Sequence, residues 1–129
     1  MWDLDIYDLE LFDEWLDSIS VEDRMMVATT LESMTQSADH PWFFGSNGAE
    51  GAKVFKMTSF GAMIYKAHLD SRHGEIALIF AVNQWHSDGS NLINGEILLL
   101  LHDRLKNLRK RYSIEAVAYK LLGEKSWQK

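Results

Sequence analysis

The stretch IALIFAV, from Ile76 to Val82, has no polar side chain at any position. Read as a strand, it sends Ile76, Leu78, Phe80 and Val82 to one face and Ala77, Ile79 and Ala81 to the other, so both faces are dry. A strand of that kind belongs at the centre of a sheet, and the rest of the chain has to be arranged around it. Its neighbours are legible upstream. Lys53 to Thr58, Ala62 to Leu69 and Glu75 to Asn83 each have strand length, and the separators SFG and DSRHG both offer a glycine for positive φ. These three segments are expected to form an antiparallel meander.

The N-terminal third has a different period. WDLDIY alternates Trp2, Leu4 and Ile6 with Asp3, Asp5 and Tyr7, which predicts a strand with one wet face. Leu9, Phe12, Leu16 and Ile19 then recur at helical spacing, and Ser20 followed by Asp23 resembles a capping box that opens a second helix with Val27, Leu31 and Met34 inward. His40 and Pro41 are expected to end that hairpin. Gly45 to Gly51 reads as a connector, because it lacks the lysine of a phosphate-binding loop.

Beyond Asn83, Asn94 is placed to cap a helix running from about Gly95 to Tyr112, with Ile97, Leu98, Leu101, Leu105 and Leu108 inward. Arg104, Lys106, Arg109, Lys110 and Arg111 would then sit near its C-terminal end, where cations complement the helix dipole. Ser113 caps a last helix that ends near Gly123 and is either part of the core or an added element. The predicted class is α+β: an N-terminal strand, a helical hairpin, a three-stranded antiparallel meander and C-terminal helices. All of it lies in one domain over residues 1–129.

Charge is distributed unevenly along the chain. Residues 1–50 hold twelve Asp/Glu against the single Arg24, a net charge of −11, while residues 51–129 carry twelve Lys/Arg against seven Asp/Glu, a net charge of +5. Such a split allows the second half to meet phosphate while the first half meets a basic protein, or lets an acidic helical layer and a basic sheet neutralise each other within the fold. With no cysteine, the chain has no disulfide, thiolate ligand or cysteine nucleophile. The apolar runs Ile97 to Leu101 and Ile76 to Val82 are far too short to span a bilayer, and the acidic N-terminus is wrong for a secretory signal, so a cytoplasmic location is expected. His68, Asp70 and His73 fall short of a metal site, since His86 and His102 are too scattered to complete one; neither metal nor cofactor is expected. No nucleophile elbow, zinc-protease helix or dinucleotide fingerprint is present.

Two segments together resemble a known family. FDEWLDSISVEDRMMVATTLESM looks like the helical hairpin of the RelE/HigB-like toxins, in particular the phage-derived HigB-like branch, and KVFKMTSFGAMIYKAHLDSRHGEIALIFAV looks like their strand, turn, basic strand and hydrophobic strand. The resemblance covers roughly residues 2–83 and implies a single RelE-like domain. It also implies metal-independent, ribosome-dependent mRNA cleavage, in which the substrate's 2′-hydroxyl attacks. The protein then supplies a proton acceptor, a proton donor and cations for the phosphorane. On that pattern Lys56 and Lys66 match basic positions of the second and third strands, on one face with Ala62, Ile64 and His68. Where many members carry a Gly-Phe-x-Lys-Lys-like segment, this chain has VNQWHSDG; there His86 can act as acid or base and Trp85 can stack on a base.

The expected catalytic set is therefore Lys56, Lys66 and His86, with Lys53, His68, Arg72, Trp85, Arg109 and Lys110 contacting RNA. The partners would be the ribosome, mRNA and a neutralising antitoxin. Each of these cations also reads plainly as a solubilising residue on a wet face. The second reading is a catalytically degenerate RelE-fold binding or immunity protein. In it Asp13, Asp17 and Glu22 on the acidic helices dock a basic protein partner.

Overall fold

The computed structural model describes residues 2–36, 52–57, 64–86, 93–111 and 113–124. In chain order the elements are β1 (Trp2–Ile6), α1 (Leu9–Ser18), α2 (Val21–Thr35), β2 (Ala52–Met57), β3 (Ile64–Leu69), β4 (Ile76–His86), β5 (Ile93–Arg104), α3 (Leu105–Arg111) and α4 (Ile114–Glu124). The five strands form one mixed sheet in the order β1-β5-β4-β3-β2, antiparallel throughout except for the parallel β1–β5 pair. The protein is α+β. The predicted end of α2 at His40 and the connector Gly45 to Gly51 lie outside the described residues.

IALIFAV is a central strand with both faces covered. Against one face, Leu78, Phe80 and Val82 pack with Trp2, Phe12, Val27, Leu31 and Met34 from β1 and the α1–α2 hairpin. Against the other, Ala77, Ile79 and Ala81 pack with Leu98, Leu105, Leu108 and Ala118 from β5, α3 and α4. The sheet is thus the middle of three layers, and the last helix is core: Ala118 is fully buried. Truncating Leu78 or Phe80 would cost about 3 kcal/mol or more at such positions.

The helix expected from Gly95 to Tyr112 is instead strand β5 up to Arg104, followed by the short α3. Five consecutive apolar residues, Ile97 to Leu101, suit a strand with both faces covered; a helix would turn two of them outward. Ile97, Leu98 and Leu99 are at most 1 % exposed, reached from both sides of the sheet. Leu101 pairs with Ile79 and Leu99 with Phe80, so Leu100 is the extra residue of a bulge. The same correction removes the helix-dipole account for Arg104 and Lys106, while Arg109 and Lys110 lie in the last turn of α3, where it holds. Arg104 ends the strand and Lys106 lies in the first turn of α3, where a cation gains nothing from the dipole.

The hairpin starts as its caps dictate. The Asp8 carboxylate accepts from the Leu11 amide at 3.0 Å and the Ser20 hydroxyl from the Asp23 amide at 3.2 Å. The other half of the expected capping box is absent because the Asp23 carboxylate points elsewhere, to Ser71 and Arg104. The turn between β3 and β4 depends on Gly74, at φ +118°, a backbone conformation that a side chain strains.

Candidate nucleic-acid interface

Three pieces of chain meet at one end of the sheet: the turn from Asp70 to Glu75, the end of β5, and α3. A buried ion pair locks them together. Asp23 of α2 is 2 % exposed; its carboxylate accepts from the Ser71 hydroxyl at 2.7 Å and from the Arg104 guanidinium, which also donates to the Gly74 carbonyl at 2.8 Å. Burial works to raise the Asp23 pKa, but the hydrogen bonds from Ser71 and Arg104 and the Arg104 charge outweigh it and hold the carboxyl below its ordinary value. Arg72, next in the turn, pairs with Glu22 on the exposed surface of α2.

Beside this lock is a concavity of about 640 Å³ lined by His73, Glu75, Arg104, Lys106, Arg109 and Lys110, among others. Arg104 is committed to Asp23. Lys106, Arg109 and Lys110 are exposed and form no ion pair among the described residues, leaving three cations and one acid, Glu75, around the opening. Glu75 itself lies 3.4 Å from Nδ1 of His68, whose side chain is 13 % exposed. Burial, with the Lys66 and Arg109 charges, lowers the His68 pKa against the opposing pull of Glu75, so the imidazole is neutral at pH 7.

Of the residues expected to contact RNA, His68, Arg72, Arg109 and Lys110 come together at this corner. Lys53 joins them by register, because it pairs with His68. Trp85 does not. It pairs with Asn94 near the opposite end of β4, eight residues beyond Ala77, which pairs with His68; at strand rise this is about 26 Å away.

The expected catalytic set is not assembled. Lys56 pairs with Tyr65, whereas Lys66 pairs with Phe55 and Ile79, so the two lysines are one position out of phase and belong to opposite faces. Lys66 does share its face with Ile64 and His68, as expected. His86 pairs with Ile93, seven residues along β4 from the Ile79 that pairs with Lys66, or about 23 Å at strand rise. Three groups so separated cannot act on one phosphodiester.

Reading the sequence missed Lys106 and His73 as lining residues, and missed Asp23 as the group that orients the corner. The density of cations in RLKNLRKR was the available signal for Lys106; the sequence marks Asp23 only as a capping-box residue after Ser20, and nothing in it sets Asp23 apart as buried from the exposed acids of the same helix. Of the acids expected to meet a partner, Asp13 and Asp17 are exposed four residues apart on one side of α1, while Glu22 is already engaged by Arg72. No helix among the described residues is long and apolar enough to cross a membrane. No protein-family model, curated protein or solved structure matches the chain.

Proposed function

We propose that this protein is a RelE-like RNA-binding protein that holds a single-stranded phosphate backbone at the α3 corner and does not cleave it through Lys56, Lys66 and His86. The observation that carries the reading is the concavity in which Lys106, Arg109 and Lys110 converge without ion-pair partners among the described residues. Cations that release counterions on meeting phosphate supply most sequence-independent affinity for nucleic acid. The RelE-like assignment rests on the hairpin and basic-strand resemblance and on the order of a strand, two helices and then consecutive antiparallel strands.

Binding is favoured over cleavage for a geometric reason. His86, the expected acid–base group, is at the far end of β4, and His68, expected to contact RNA, is mostly buried and does not line the concavity; His73 lines it, but without Lys56, Lys66 or His86 beside it. The mRNA-cleaving toxin with its antitoxin is the stronger form of the same reading and is tested alongside it. Inducible expression in a bacterial host, with message integrity followed, is expected to leave mRNA intact for wild type; cleaved message lost on Lys56→Ala/Lys66→Ala/His86→Ala would establish the toxin instead. Purified protein is expected to bind single-stranded RNA with a log–log salt slope near −2, about what three neutralised phosphates give. Substituting Lys106, Arg109 and Lys110 by glutamate should abolish that binding.

A further inference from the structure

Strand β1 pairs with β5 only as far as Ile6 and Leu99, with one more bond from the Tyr7 amide to the Leu99 carbonyl at 2.8 Å. Strand β5 continues to Arg104, so beyond Leu99 its outer edge has no partner strand among the described residues. An uncovered edge is a template for a further strand. Here it forms the floor of a groove of about 340 Å³, with Leu11 of α1 on one wall and Val117 and Leu121 of α4 on the other.

The groove has a charged end. Asp8 and Leu11 also line a smaller adjoining notch of about 170 Å³ completed by Glu10 and Glu14, so the apolar trough runs directly into carboxylates. Leu9 and Leu11, at 57 % and 53 % exposure, stand among these acids instead of packing inward. His102 also lines the groove; its ring is wedged against Phe12 and Trp15, and its Nδ1 is buried without a hydrogen-bond partner among the described residues. An open strand edge, apolar walls and an anionic end together describe a receptor for an extended segment.

We propose that this groove binds an extended peptide of a basic partner protein, which adds as a strand along β5 beyond Leu99. Its apolar side chains would enter the trough between α1 and α4 and its Lys or Arg side chains would meet Asp8, Glu10 and Glu14. The alternation follows from strand geometry, since every second side chain faces the same way. The groove is distinct from the α3 concavity and stands without the RNA-binding reading.

The test is fluorescence anisotropy of the full chain with a labelled peptide of about eight residues, a typical strand length, alternating Lys with Val. Saturable binding is expected, weakened about tenfold or more by Glu10→Lys/Glu14→Lys, in keeping with rim-charge reversal, and unchanged by Glu32→Lys at an exposed acid outside the groove. A peptide with proline at alternate positions should fail to bind, and hydrogen exchange of β5 amides beyond Leu99 should slow only with the binding peptide. Leu11→Lys, at an exposed wall position, gives a second disruption that spares the core. Equal binding of the proline peptide would reduce the effect to charge and overturn strand addition. Absence of binding, or binding indifferent to Glu10→Lys/Glu14→Lys, would overturn the site. A dimer that the peptide cannot dissociate, and that Glu10→Lys/Glu14→Lys dissolves, would assign the groove to a second copy of this chain and overturn the partner.

Discussion

Asp23 carries more of the architecture than its place among the exposed acids of α2 suggests. It is buried, it accepts from Ser71 and Arg104, and through them it fixes the β3–β4 turn and the end of β5. Asp23→Ala leaves the largely buried Arg104 guanidinium without its counter-charge and should destabilise the fold by about 3 kcal/mol, read from urea unfolding at pH 7. Because the folded-state pKa lies below the ordinary carboxylate value of 3.8, this contribution is complete above that value and is lost as pH falls through the depressed one. Asp23→Asn should therefore flatten the acid limb of the stability curve below about pH 4.

The two partly buried histidines act over a higher range. Burial is the main cause that lowers the pKa of both His102 and His68 from the ordinary 6.5. Below about pH 6.5 the unfolded chain takes up protons that the folded chain refuses, so stability declines as pH falls from 7 toward 5. His102→Phe, which keeps a ring between Phe12 and Trp15, should reduce that decline; an unchanged slope would mean that His102 is protonated in place.

At the scale of elements, the legible parts are those in which one period has one meaning. WDLDIY alternates and is β1; Leu9, Phe12 and Leu16 step at helical spacing and lie in α1; Ser20 caps α2. IALIFAV is central because both of its faces are dry, and that alone requires a layer on each side. The region around ILLLL is not legible in this way, because a continuous apolar run has no period and periodicity alone does not separate a helix from a buried strand. What decides is tertiary: β1 needs a hydrogen-bonding neighbour, and β5 supplies one between β1 and β4. That single exchange of helix for strand moved Lys106 to the start of α3 and so created the basic corner. Lys56 and Lys66 failed as a pair for a related reason, since register is a property of two strands and a slip of one residue reverses the face. The turn after β3 was readable because DSRHG ends in the glycine it needs. Gly74→Ala should cost about 1 kcal/mol, measured as a shift of the denaturant midpoint, although a Cβ there would meet Arg104 Cδ only at 3.6 Å.

Across the whole molecule, the charge split between the two halves has two fates. Part of it is neutralised within the chain, on the surface where Glu22 meets Arg72 and in the interior where Asp23 meets Arg104, joining the acidic hairpin to the basic second half. The remainder stays at two separate places, cations around the α3 concavity and carboxylates beside the α1 groove. A net charge of −6 therefore describes neither surface. Long-range repulsion from the acidic hairpin should slow RNA association at low salt, while the local cations set the affinity once contact is made.

The most direct test of this account is binding of labelled single-stranded RNA by anisotropy, comparing the wild type with the Lys106→Glu/Arg109→Glu/Lys110→Glu variant and with Lys56→Ala/His86→Ala. Binding by the wild type that rises as salt is lowered, is lost in the α3 variant and is kept in the Lys56/His86 variant is the predicted result. Equal binding by the wild type and the α3 variant, or none by either at low salt, would contradict it.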